Sequence, residues 1–296
     1  MSRLLKKIVD KSFQLLFACV GIILVGALPN LLSGLSSWQL NWSMYFESVL
    51  EITSALFHLD EITYHGRDPS AVRPLFPLII EPLSYSLTLL LGAFLVAVIV
   101  SLLLTYITML FTERNRRKIK MIFFLFESLP DIFIILMCQM FVVFFYKKTQ
   151  ILLVEFAAVG PTKAYLLPIL CLSILPMIHL FRLSMLTFEN EERQNYVELA
   201  KSIGNGKTII FTKHMFRNAI ISVFFQSKKI IWFMLSNLFV LEILFNVPGI
   251  TWFLFQNMQP KVTTVTLIAI FIPVFIFYTI GEWLIERKAG KGEVLT

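Results

Sequence analysis

The stretch Gly204-Asn205-Gly206-Lys207-Thr208 has the residue types of a phosphate-binding loop. Such a loop follows a strand, and its first glycine lies five positions before the glycine that precedes the lysine. Lys201 occupies that position here, and the preceding run ENEERQNYVELAK is polar and favours a helix rather than a strand. The sequence therefore predicts that this chain does not hydrolyse ATP.

Four ionisable residues lie within otherwise apolar stretches: Glu127, Asp131, Lys228 and Lys229. The i, i+4 spacing of Glu127 and Asp131 would place both carboxylates on one face of a helix. Because a charge at membrane depth is costly unless paired or hydrated, we expect these four residues to meet near the middle of a helix bundle. Two interpretations stay open: a structural ion pair, buried within this chain or bridging to a second subunit, or a lining that contacts the charged ends of a solute on its path.

Paired carboxylates also serve acid–base enzymes, so an intramembrane enzyme using Glu127 and Asp131 is a further alternative. No supporting motif accompanies them, and the four histidines do not combine with nearby carboxylates or cysteines into a recognisable site. We therefore predict no catalytic residue, no metal site and no cofactor.

The elements that must position these residues are membrane helices. Of the 296 residues, 57% are hydrophobic and only 15% are charged, and a helix needs about 20 apolar residues to cross a hydrocarbon core of about 30 Å. The predicted fold is an all-α polytopic membrane protein with six transmembrane helices. The predicted spans are 13–32, 83–111, 119–146, 165–188, 219–245 and 262–285.

Lysine and arginine are retained on the cytoplasmic side during insertion, so their distribution predicts orientation. They concentrate in the N-terminus, the loops after spans two and four, and the C-terminal tail. We expect a multi-pass protein of the bacterial plasma membrane with both termini in the cytoplasm. This distribution also explains the net charge of +7 without a nucleic-acid partner.

The segment from Asn190 to Asn218 is too long for a simple turn. Its apolar residues recur at helical spacing on both sides of Gly204-Asn205-Gly206, which predicts a helix–turn–helix. Without further information, a helical hairpin lying on the membrane surface is an alternative.

The run YVELAKSIGNGKTIIFTKHMFRNAI resembles the cytoplasmic EAA loop of ABC importer permeases, and more closely that of the oligopeptide/dipeptide/nickel branch. The resemblance is carried by Tyr196, Val197, Ala200, Gly204, His214, Arg217 and Asn218. A second block, which follows span five, resembles the Glu-x-x-Phe-x-x-Pro-Gly segment of the same family. It contains Glu242, Phe245, Pro248 and Gly249.

The resemblance covers most of the chain from about residue 75 onward and implies a permease with a cytoplasmic coupling loop at 189–218. We expect a single transmembrane domain over residues 1–296, and the distribution of basic residues predicts an extracytoplasmic loop at 33–82. It implies a second permease chain, cytoplasmic ATP-binding subunits and an extracytoplasmic solute-binding protein as partners. The implied solute is a peptide or a similar small molecule, a metal chelate included. Ala200 and Gly204 would allow close approach of the ATPase, and Tyr196 and Ile203 would be its anchors.

Span five departs from the family pattern. Ser222 stands where the family has proline, and the run from Lys228 to Trp232 replaces small residues. A diverged permease that serves export, immunity or sensing is therefore the alternative function.

Overall fold

The computed structural model describes residues 2–37, 39–65, 72–160 and 162–290. Helices form most of this part of the chain. The α-helices and strands are α1 (Ser2–Gly26), α2 (Leu28–Leu31), α3 (Trp42–Ala55), β1 (Thr63–His65), β2 (Val72–Pro74), α4 (Ile80–Leu110), α5 (Glu113–Glu127), α6 (Asp131–Thr149), α7 (Leu166–Glu192), α8 (Asn195–Ser202), α9 (Lys207–Ile209), α10 (Phe216–Leu244), α11 (Ile250–Gln256) and α12 (Pro260–Gly290).

Among the described residues, six helical segments are long and apolar enough to cross a membrane, so the predicted number of spans is confirmed. In an apolar solvent, a helix satisfies its own backbone hydrogen bonds, which is why such segments fold this way. The segments are Lys6–Gly34, Ile80–Leu110, Asp131–Thr149, Leu166–Glu192, Lys207–Leu244 and Pro260–Ile285.

The predicted start of span three was wrong. The continuous span expected from residue 119 is divided, because α5 ends at Glu127 and the membrane-spanning helix α6 begins at Asp131. Pro130 precedes α6 with an extended backbone, φ −64° and ψ 142°. Proline has no amide hydrogen to donate, and it suits the start of a helix rather than its interior.

The helical segment that contains span five begins earlier than the predicted span. Residues 207–244 form one helical segment that includes a stretch of π-helix, Ile210–Met215, between α9 and α10. At its end, the amide of Phe216 donates to the carbonyl of Phe211, five residues back. The predicted coupling loop 189–218 therefore includes the last residues of α7 and the first residues of the helical segment that begins at residue 207. Its cytoplasmic position stays a prediction.

The chain divides into two compact units. The unit Leu87–Val247 contains α5 to α10 and most of α4; within it α10 packs along α7, α6 contacts both, and α5 lies against α7. The other unit, Met1–Ser86 with Pro248–Thr296, packs α1 against α12, and α3 against both. A single permease domain stays a prediction.

The predicted extracytoplasmic segment 33–82 contains α3 and an antiparallel hairpin of β1 and β2. The hairpin pairs Tyr64 with Arg73, and the Tyr64 ring packs edge-on against Phe253, with 5.3 Å between the ring centres. On α3, Glu51 lies 2.6 Å from the ammonium group of Lys261 on α12.

Candidate functional site

The connection between α7 and α9 carries the short helix α8. Its buried side is formed by Val197 and Ala200, which are 0% and 3% exposed. They join an apolar cluster that includes Phe188 of α7 and Phe211 of the π-helical stretch. The Phe188 and Phe211 rings stack 4.5 Å apart and 10° from parallel. The structure therefore seats α8 on the chain's own core, and Ala200 does not offer a close approach to a partner.

A glycine in a left-handed conformation ends α8. Gly204 has φ +89°, its amide donates to the carbonyl of Lys201, and the amide of Asn205 donates to that of Ala200. This pair of hydrogen bonds is a Schellman motif, which satisfies the last carbonyls of a helix and favours glycine at the left-handed position. A side chain added to Gly204 would meet nothing within 4 Å, so the requirement for glycine comes from backbone conformation rather than from crowding.

Tyr196 points inward rather than toward a partner. Its hydroxyl donates to Glu191 at the end of α7 and accepts from the amide of Asn218 on α10, 3.4 Å away. Partial burial and the Glu191 carboxylate raise the pKa of Tyr196 to about 12. Tyr196 thus connects α8 to the helices on both sides of the loop.

A buried arginine joins the helix ends beneath α8. The guanidinium of Arg116 on α5 lies 2.5 Å from Glu192, the last residue of α7. It also donates to the carbonyls of Met109 and Phe111, at the end of α4. One turn further along α5, Lys120 pairs with Glu189 at 2.8 Å. These pairs fix the last turn of α7, from which α8 begins.

The exposed side of α8 carries two large apolar side chains beside the polar Glu198, Lys201 and Ser202. Leu199 and Ile203 are 62% and 70% exposed and are spaced i, i+4. Ile209, at the start of the next helix, is 48% exposed. Of the two predicted anchors, Ile203 is on the exposed surface and Tyr196 is not.

The remaining predicted loop residues lie in the π-helical stretch and in the first turn of α10. His214 is half-buried in the π-helical stretch, and Arg217 is exposed in the first turn of α10. Asn218 follows it and reaches Tyr196 as described.

The predicted arrangement of charges in spans three and five was wrong in two respects. Glu127 and Asp131 do not share a helix, because the first ends α5 and the second begins α6. Glu127 contacts Arg182 at 2.8 Å and His179 at 3.1 Å, both on α7.

Asp131 accepts a hydrogen bond from the side-chain amide of Asn237. Asn237 lies nine residues after Lys228 on α10, about 14 Å along the axis at 1.5 Å per residue. Asp131 and Lys228 are therefore at different levels, and the prediction failed because it counted along an unbroken third span. Lys228 is half-buried and Lys229 is exposed.

Asp131 and Asn237 line a small cavity among α6, α7 and α10. Its volume is about 20 Å³, and Cys171 and Pro176 are among the residues around it. Its polar lining is a carboxylate and an amide, which suit hydrogen bonding. Among the described residues, no group of histidine, cysteine and carboxylate side chains is placed to hold a metal ion.

The predicted family motif after span five lies partly in each of the two compact units. In the unit Leu87–Val247, Glu242 and Phe245 are buried, and Asn246, directly after α10, has φ +52°. The amide of Val247 donates to the carbonyl of Glu242 at 2.8 Å. In the other unit, exposed Pro248 and buried Gly249 precede α11.

Sequence reasoning missed Arg116, Glu192, Asn237 and Leu199. The sequence did contain a pattern that could have indicated Arg116 and Glu192. Basic residues are spaced i, i+4 on α5, and acidic residues are spaced i, i+3 at the end of α7. No local pattern marked Asn237 as the partner of Asp131, since the two are 106 residues apart.

Residues 114–288 match the family described as binding-protein-dependent transport system inner membrane component. This region contains α8, the buried arginine and the charged residues of spans three and five. No curated protein matches the chain significantly. The family implies ATPase and binding-protein partners, and its members are transport components rather than enzymes. With more than half of its length matched, the chain belongs to this family and is a permease subunit of an ABC transporter.

Proposed function

We propose that this permease serves an importer and that α8 is its coupling helix, which docks into a groove of a cytoplasmic ATPase subunit. The observation that carries this is the two-sided character of α8. Val197 and Ala200 are buried in the chain, whereas the large apolar side chains of Leu199 and Ile203 are exposed beside the charged Glu198 and Lys201. A helix of about two turns is marginal alone, so the seat on the core makes α8 stiff enough to transmit movement.

The proposed mechanism is alternating access. Closure of the ATPase subunits on ATP moves α8 as a rigid body. Tyr196 passes that movement to α7 through Glu191 and to α10 through Asn218. Because α7 and α10 pack along each other and against α6, the bundle around Asp131 moves with them.

The remaining features of the proposal rest on sequence. The basic residues around α5 and α8 support a cytoplasmic location for this end of the bundle. The resemblance to the oligopeptide/dipeptide/nickel branch supports a peptide or similar small solute, with a different chain as the second permease. Asp131 is placed to contact a cationic solute group if the path runs beside the cavity that it lines.

Co-purification tests the proposal. The full-length chain, extracted in detergent, is expected to bring an ATPase subunit, a second permease and a solute-binding protein, which mass spectrometry would identify. An ATPase without a binding protein would favour export or sensing. Absence of any ATPase would refute the coupling role of α8.

A variant directed at α8 makes the test specific. Burying a leucine or isoleucine side chain contributes about 1.5–3 kcal/mol, and Leu199 and Ile203 have roughly two thirds of their surface free to bury. Replacing both by alanine should therefore weaken ATPase binding by about 2–4 kcal/mol, or roughly 30- to 700-fold. Leu50→Ala, at a leucine that is 70% exposed on α3, is the control and should leave binding unchanged.

A further inference from the structure

The outward face of α5 changes character along the helix. Its first half presents Arg114, Arg117 and Lys118, all exposed. Its second half presents apolar side chains that are between 52% and 65% exposed: Met121, Ile122, Phe124, Leu125 and Phe126. Cations and exposed apolar groups thus follow each other along one short helix.

The basic residues of α5 fall into two groups. Arg116 and Lys120 face α7 and are held by Glu192 and Glu189. By contrast, Arg114, Arg117 and Lys118 form no ion pair or side-chain hydrogen bond with the described part of the chain. Their charge is available to something outside the chain.

The direction in which α5 changes from basic to apolar residues indicates how the helix is placed relative to a membrane. A helix lying flat on a membrane has basic and apolar residues on opposite faces. On α5 the change runs along the axis, as in a helix that passes through the interface. From Arg114 to Lys118 the axial rise is about 6 Å at 1.5 Å per residue, close to the headgroup layer of roughly 5–7 Å on each side of the hydrocarbon core.

We propose that Arg114, Arg117 and Lys118 bind the phosphate-bearing headgroups of anionic phospholipids, while the last two turns of α5 contact their acyl chains. A water-soluble protein partner would match the cations but would leave the adjoining apolar band exposed to water. An anionic phospholipid matches the cations with its headgroup and covers the apolar band with its acyl chains. This inference requires only that the chain spans a membrane, and it is independent of the coupling role of α8.

The test measures lipid preference on the full-length chain. The protein is purified in detergent with equal amounts of phosphatidylglycerol and phosphatidylcholine, and retained lipids are counted by native mass spectrometry. Each basic residue near an anionic surface contributes about 1 kcal/mol, so Arg114→Gln/Arg117→Gln/Lys118→Gln should lower the preference for phosphatidylglycerol roughly 100-fold. Because these side chains have no partner in the described chain, the variant is expected to fold.

Two control variants sharpen the test. Lys147→Gln/Lys148→Gln removes two exposed charges from the last turn of α6, far along the chain from α5. This variant should keep the wild-type preference for phosphatidylglycerol. Arg114→Lys/Arg117→Lys retains the charge and should keep it as well. Raising the salt from about 0.1 M to about 1 M shortens the screening length from about 10 Å to about 3 Å, so the wild-type preference should fall.

Two outcomes would overturn the proposal. The wild-type chain could show no preference for phosphatidylglycerol, or the triple glutamine variant could keep the wild-type preference. If the triple variant keeps its lipid preference and also loses a co-purifying ATPase, this face of α5 is a protein interface.

Discussion

Arg116 should contribute far more to stability than its neighbour Lys120, although both pair with glutamates of α7. The side chains of Arg116 and Glu192 are 7% and 30% exposed, and Arg116 also donates to two carbonyls at the end of α4. Those of Lys120 and Glu189 are 36% and 24% exposed. The two pairs differ in burial and in the number of groups left unpaired when the cation is removed.

The expected magnitudes follow from that difference. Arg116→Met leaves the two carbonyls without their donor and leaves Glu192 with only the longer contact to Lys201, at 3.9 Å. Breaking a buried pair typically costs about 3–5 kcal/mol. Glu192→Gln should cost about 1–2 kcal/mol, because Arg116 keeps its bonds to the two carbonyls and Glu192 is partly hydrated. Lys120→Met should cost about 0–1 kcal/mol, as exposed pairs do.

The assay is reversible unfolding of the purified chain in mixed micelles, with the free energy of unfolding measured for each single variant and for Arg116→Met/Glu192→Gln. The double variant should be less destabilised than the sum of the two single variants, by about 0.5–3 kcal/mol. A cost for Arg116→Met no greater than that for Lys120→Met would refute the reasoning. So would additive costs in the double variant.

Two glycines give further predictions. A Cβ at Gly26, the last residue of α1, would collide with the hydroxyl of Thr264 on α12 and lie 3.1 Å from its Cβ, whereas one at Gly21 would meet nothing within 4 Å. Gly26→Ala should therefore lower the free energy of unfolding by about 1–3 kcal/mol, and Gly21→Ala should not lower it; equal effects would contradict the close packing. Gly204→Ala should cost about 1 kcal/mol from the left-handed backbone alone and should lower the transport rate by loosening the end of α8, while Gly206→Ala, at φ −70°, is the control; unchanged transport and stability would show that the Schellman motif is dispensable.

Length and composition were sufficient to predict six spans, because a membrane helix needs a long apolar run and little else. The break between α5 and α6 was not predictable in the same way. Membrane helices accommodate proline when neighbouring groups satisfy the freed backbone, so Pro130 in an apolar sequence is compatible with a kink or with an end. In the structure, α5 ends before Pro130 and a new helix begins after it. Glu127 and Asp131 therefore have different partners from those expected for one continuous helix.

Sequence also placed α8 correctly but not its orientation. Val197 with Ala200, and Leu199 with Ile203, are both apolar pairs at helical spacing. Either pair could have faced the core, since periodicity gives the existence of a helix and not the direction of each face. The direction is set by the phenylalanines of α7 and the π-helical stretch, which become neighbours only in the folded chain.

The π-helical stretch Ile210–Met215 sets the register between the two ends of the fifth helical segment. Such a stretch carries an extra residue in its turn compared with an α-helix. Removing or moving that extra residue by one position shifts the two sides of the helix relative to each other by about 1.5 Å and about 100°. The stretch lies between α8 and the long helix α10, so it offsets the faces of the two ends of the fifth helical segment from those of a continuous α-helix.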